Sequence, residues 1–212
     1  MTSHAVPAGA HADAGHEEFD EHAWTSLGLD HMKLAFWTFL GSDCFFFGSL
    51  IGTYMSYRGQ SLVGPYPRDV FSVEVTSIST FVLLMSSLTM ALAVLFAKTN
   101  RRSGTIGMLL ATAALGASFV GFQMFEFSHF YHEGLTLQGN LFGSSFYVLT
   151  GFHGTHVAIG VLWLLIQTLF YGKRWIRGDE GNAVEVAGLY WHFVDIVWIV
   201  IFTFVYLMEY VE

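Results

Sequence analysis

Charge is what this 212-residue chain has least of: Asp, Glu, Lys and Arg together make up 12% of it. A soluble domain carries about 25%. With 53% hydrophobic residues and a mean hydropathy of +0.50, the chain is expected to lie in a membrane. Cysteine occurs once, at Cys44, which excludes an intramolecular disulfide and leaves the redox compartment open. Proline occurs three times, at Pro7, Pro65 and Pro67, always outside the apolar stretches. The amino-terminal segment is polar, acidic and histidine-rich, unlike a cleavable signal peptide, so the first apolar stretch is expected to persist.

What the chain does have is five stretches long enough to span a bilayer, which takes about 20 apolar residues each. They cover 32–57, 71–97, 104–130, 141–171 and 187–210. Their length fits helices and not the short alternating strands of a closed barrel. The expected architecture is therefore all-α: a polytopic bundle of five transmembrane helices over 31–212, preceded by a tail, 1–30. Five spans put Lys33, Lys98, Arg101, Arg102, Lys173, Arg174 and Arg177 on the side of the amino terminus, and only Arg58 and Arg68 on the other. The positive-inside rule then places the amino terminus in the cytoplasm and the carboxyl terminus outside. The formal charge of −8 does not oppose this, because acidic residues weigh little in the rule.

Small residues mark faces for close helix contact. Gly41, Gly48 and Gly52 share a face of the first span, and Gly107, Ala111, Ala114, Ser118 and Gly121 form a stripe on the third. Such faces fit packing within the bundle or against another subunit.

Polar residues inside the spans carry the chemical information. A carboxylate at Asp43 costs roughly 2.5–3.5 kcal/mol to bury at mid-bilayer, so it needs a partner or a role. Helical rise places it about 15–18 Å from the amino-terminal side. The fourth span holds His153 and His156, the fifth His192 and Asp195, each pair three residues apart and so on one face. With Asp195 about 12 Å into its span, the four are expected to form one Asp–His cluster between the last two helices. Glu74, Glu126 and His129 form a second group toward the outer side, where solvent could hold Glu126 without a partner. Three readings of these residues stay open on pattern alone: structural hydrogen bonding and lipid headgroup contact, proton relay, and metal or haem ligation. The tail, with His4, His11, His16, His22 and His31 among Asp13, Glu17, Glu18, Asp20 and Glu21, reads as a solvated acidic segment, with metal binding as the alternative.

Five segments stand out in order: Phe36-Trp37-Thr38-Phe39-Leu40-Gly41-Ser42-Asp43; Glu74 with the Leu/Ser-rich second span; Phe125-Glu126-Phe127; Gly151-Phe152-His153-Gly154-Thr155-His156-Val157; and Tyr190-Trp191-His192-Phe193-Val194-Asp195-Ile196-Val197-Trp198. Together they resemble subunit III of the haem–copper respiratory oxidases. The resemblance covers about 30–211. It implies a five-helix bacterial subunit of the cytoplasmic (inner) membrane with no catalytic centre of its own, part of a complex that reduces O2 to water and pumps protons. Haem and copper are then expected in partner subunits and none in this chain. Subunit I would be the direct partner, with subunit II and other respiratory subunits beyond it, and no nucleic acid. Bound phospholipid is expected, and Asp43 takes the place of the family's buried acidic residue, there usually Glu. On this basis Asp43, Glu74, Glu126, His129, His153, His156, Trp191, His192 and Asp195 are the expected buried polar or lipid-associated residues, with no catalytic residue. Ser42-Asp43-Cys44 resembles the quinol-oxidase branch and Gly151–Val157 the cytochrome c branch; cytochrome c is taken as the donor and quinol as the alternative. A free-standing membrane cytochrome and a small proton transporter are the rivals from other classes, and no internal repeat of the kind transporters carry is visible.

Overall fold

The computed structural model describes residues 31–58, 73–173 and 180–208. Five helices run through them: α1 (His31–Tyr57), α2 (Val73–Lys98), α3 (Arg102–His132), α4 (Leu141–Lys173) and α5 (Glu180–Ile201). α5 continues into a π-helical turn, Phe202–Leu207. All five are long and apolar enough to cross a membrane, so the architecture is all-α and consistent with a five-span bundle. The acidic tail, the Pro65–Pro67 turn and Arg68, Arg174 and Arg177 lie outside the described residues.

Two connections are set by local backbone chemistry. After α2, Asn100 takes a left-handed conformation (φ 55°). Arg101 N–H reaches Phe96 O at 2.8 Å and Asn100 N–H reaches Ala97 O at 3.1 Å. Gly134 (φ 87°) ends α3 in the same way, with Leu135 N–H on Phe130 O at 2.9 Å and Gly134 N–H on Tyr131 O at 3.2 Å. Both are Schellman caps, which satisfy helix-end carbonyls and reverse the chain within a few residues. α3 and α4 therefore each double back on the preceding helix.

Helices α2, α3, α4 and α5 close a ring, each packed on its two neighbours, while α1 lies outside it against α4 and α5. α1 meets them through one narrow seam, Phe36, Leu40, Asp43, Phe47, Leu50 and Tyr54. The alternating steps of four and three are those of a coiled-coil contact.

The small-residue stripes do not pack within this bundle. Among the described residues, a side chain built at Gly41, Gly48, Gly52, Gly107 or Gly121 would meet nothing within 4 Å. The close approaches fall elsewhere: Gly116 of α3 and Gly160 of α4 both lie against the Trp191 ring of α5, and Gly188 lies against Val94 of α2. Trp191 also donates Nε1–H to Ser86 Oγ of α2 at 2.9 Å. One indole thus touches every other helix of the ring.

α5 begins seven residues before the span read from sequence. Charge at Glu180 and Glu185 suggested a loop, but acidic residues near a helix start favour it, and Val184 and Ala187 turn into the core. Glu185 gathers Lys33 (3.3 Å) and Lys98 (3.4 Å), joining the ends of α1, α2 and α5. All three side chains are partly exposed, so such pairs contribute about 0–1 kcal/mol each. Beside them Arg102 donates to the carbonyls of Tyr171 and Gly172, closing the end of α4.

Candidate functional site

Polar side chains collect inside the bundle in three places. The first is the contact of α1 with α4. His156 Nε2 lies 3.7 Å from Asp43 Oδ2. Its Nδ1 is 2.8 Å from Phe152 O, an oxygen that only accepts, so Nδ1 carries a proton. Tyr190 of α5 donates its hydroxyl to His156 O at 2.9 Å. His153, on the preceding turn of α4, is 0% exposed, and among the described residues neither ring nitrogen has a hydrogen-bond partner. Its ring stacks on Trp198 (4.8 Å, 25°) and meets Phe119 (5.9 Å, 86°) and Phe47 (6.4 Å, 69°) edge-on. Aromatic packing, not hydrogen bonding, holds it.

The second place is the contact of α5 with α2. Ser87 Oγ lies 2.7 Å from His192 Nδ1, and the Asp195 carboxyl faces the same Ser87. One turn on, Trp198 Nε1–H donates to Thr80 Oγ1 at 2.9 Å. The single cluster expected from sequence is therefore two. Among the described residues, no hydrogen bond or ion pair joins His153 or His156 to His192 or Asp195. The His156 edge of α4 looks toward α1, while His192 and Asp195 look toward α2. The earlier start of α5 also moves Asp195 to about 22 Å along its helix.

The third place lies toward the other end of the ring. Thr76 of α2 donates to Glu126 Oε1 at 2.5 Å, and Glu126 is 4% exposed, so it is partnered and buried and does not depend on solvent. Three residues before it, Gln123 Nε2–H donates to Thr150 O of α4 at 2.7 Å. The π-helical turn brings Tyr206 into this region. Glu74 and His129 are exposed and take no part.

Gln123 also floors a groove between α3 and α4, about 340 Å3 in volume. Gly151, Gly154 and Ala158 leave it open on one side, and Met124, Phe127 and Leu162 wall it. Sequence reading missed the partners on α2, Thr76, Thr80, Ser86 and Ser87, and also Gln123. Their signal was a recurrence of hydroxyls at helical spacing through an otherwise apolar span. Among the described residues, no three His, Cys, Asp or Glu side chains converge as a metal site. What the arrangement supplies is interhelical bonds averaging about 0.6 kcal/mol each inside membranes.

A family model described as cytochrome c oxidase subunit III matches residues 16–210. The chain belongs to that family. The resemblance carried by the five segments is thus borne out, as is a multi-pass membrane protein related to bacterial oxidase subunits. Members of the subunit III family carry no haem or copper themselves. Relatives divide by donor name. Quinol oxidase subunit 3 of Bacillus spizizenii is 40% identical over 82% of this chain and 86% of its own. Cytochrome c oxidase subunit 3 of Alkalihalophilus pseudofirmus is also 40% identical, over 82% and 85%. Cytochrome bo(3) ubiquinol oxidase subunit 3 of Pseudomonas aeruginosa is 37% identical over 95% and 94%. As subunit III of a terminal oxidase, the chain works beside other oxidase subunits.

Proposed function

We propose that this subunit III flanks the catalytic subunit I of a proton-pumping oxidase, stabilises it during turnover and supports its proton uptake, with cytochrome c as donor. The observation that carries the reading is the family match over nearly the whole chain, joined to polar groups that are spent on holding helices together. The outward stripe of α1, Gly41, Gly48 and Gly52 beside exposed Trp37 and Phe45, supports a neighbouring transmembrane helix there. The α3–α4 groove supports a bound phospholipid acyl chain. For the donor, Gly151–Val157 favours cytochrome c, whereas Ser42-Asp43-Cys44 favours a quinol. Oxygen uptake by the purified complex, driven in turn by reduced cytochrome c and by a quinol, separates them.

Removing the whole subunit is the test of the role. The oxidase without it should start at its normal rate and then lose activity as it turns over, most clearly at alkaline pH. Sustained turnover with intact proton pumping would end the proposed role while leaving family membership in place.

Orientation follows from the seven-to-two division of basic residues, which supports a cytoplasmic amino terminus and tail. An alkaline phosphatase reporter fused after Glu212 should be active. Inactivity there, with activity of a fusion at residue 100, would reverse the topology.

A further inference from the structure

We propose that Asp43 and His156 form a single-proton site at mid-membrane, and that this proton fastens α1 to the rest of the bundle. The donor and acceptor geometry supports it: Asp43 Oδ2 is buried, and among the described residues it has no hydrogen-bond partner, His156 lying just beyond that range. His156 Nδ1 is committed to the carbonyl of Phe152 at 2.8 Å, so it bears hydrogen. The neutral ring would then present the Nε2 lone pair to Asp43 Oδ2, 3.7 Å away. A lone pair facing a carboxylate oxygen is repulsive, and so is an N–H facing a carboxylic O–H. One proton in the gap, on either atom, removes both conflicts.

Among the described residues, no Lys or Arg forms an ion pair with Asp43. From α5 the facing titratable group is Tyr190, whose hydroxyl proton is already given to His156 O at 2.9 Å. From α4 the neighbour is His153, whose ring nitrogens find no hydrogen-bond partner among the described residues and whose ring, like that of His156, meets Phe47 edge-on. On α1 itself the nearest charged residue is Lys33, ten positions away and engaged with Glu185. Charge balance in the apolar surroundings therefore depends on the shared proton.

Asp43 occupies a seam position of α1, between Leu40 and Phe47, and α1 stands outside the ring, packed chiefly on α4 and α5. A polar residue at one seam position of a coiled-coil contact fixes register at the expense of stability. Lys33–Glu185 ties one end of α1, and Arg58, whose Nη2 donates to Met208 O at 3.3 Å, ties the other. The Asp43–His156 pair is the ionisable tie between them. With its proton, α1 docks in one register; without it, a bare carboxylate faces a lone pair and the middle of α1 is pushed away.

The test uses the complete oxidase complex in nanodiscs. Spin labels at Ser49→Cys on α1 and Thr155→Cys on α4, in a Cys44→Ser background, report the α1–α4 distance distribution. Asp43→Asn supplies an amide N–H to Nε2 and needs no shared proton. Asp43→Ala supplies nothing. The inference expects a narrow distribution at about pH 6 that broadens toward about pH 9, beyond the ordinary histidine range. It expects Asp43→Asn to stay narrow at both values and Asp43→Ala to be broad at both. Infrared difference spectra of the unsubstituted complex against Asp43→Asn should show either a carboxylic acid or an imidazolium at the lower pH. A carboxylate beside a neutral imidazole there, a distribution insensitive to pH without substitution, or Asp43→Ala as narrow as Asp43→Asn would each overturn it.

Discussion

Trp191→Ala is expected to destabilise the bundle by about 3–5 kcal/mol, the range for truncating a large buried aromatic side chain. The indole fills the space left by Gly116 on α3 and Gly160 on α4 and hydrogen-bonds Ser86 on α2. Truncation opens a cavity where four helices meet, bordered by two glycines that have no side chains of their own to fill it. Trp191→Phe keeps most of the volume and loses the Ser86 bond, so its cost should fall to about 1 kcal/mol. The amount of this subunit per haem in the purified oxidase, followed as detergent is raised, reads both. Equal retention of the alanine and phenylalanine variants would show that the ring is not held through this indole.

Asp195→Ala is expected to loosen the subunit from the complex while leaving the haem spectrum of the oxidase unaltered. The carboxyl is 4% exposed and faces Ser87, which is itself bonded to His192. Deleting it leaves buried polar groups short of a partner, worth about 1–3 kcal/mol. This is below the ~3–5 kcal/mol for breaking a buried ion pair, because the partner is a hydroxyl and not a charged histidine. Asp195→Asn should recover most of the loss by keeping a polar group of the same shape facing Ser87. Subunit retention and the visible spectrum, measured on one preparation, check both halves. Altered haem bands in a fully assembled complex would place Asp195 in redox chemistry and contradict the account.

How much of this was legible beforehand varies from one residue to the next. The five spans were, because a bilayer imposes length and apolarity that no soluble fold needs. The family was, because Gly151–Val157 and Tyr190–Trp198 combine residues too costly for a generic membrane helix. The pairing of the histidines was not. A spacing of three says that His153 and His156 share a face of α4 and that His192 and Asp195 share a face of α5, but not which neighbour each face meets. That depends on the α2–α3–α4–α5 ring, which leaves α1 outside to take up His156 and sets α2 against His192. The glycines left two readings open for a related reason: the stripes on α1 and α3 fit packing within the bundle or against another subunit, while the glycines that do pack within it, Gly116 and Gly160, stand out only once the Trp191 ring is seen against them. The start of α5 was missed because Glu185 reads as loop charge until its two lysine partners are in place.

The account rests on this chain being the colourless subunit of a larger oxidase, and affinity purification through a tag on it tests that directly. Gentle solubilisation should bring down subunits I and II, identified by mass spectrometry, with haem and copper in the complex. Dissociating the complex should leave the haem with the partner subunits and the tagged chain without a visible spectrum. Stoichiometric haem retained by the separated chain, or a tagged chain that arrives without oxidase subunits from respiring membranes, would contradict it.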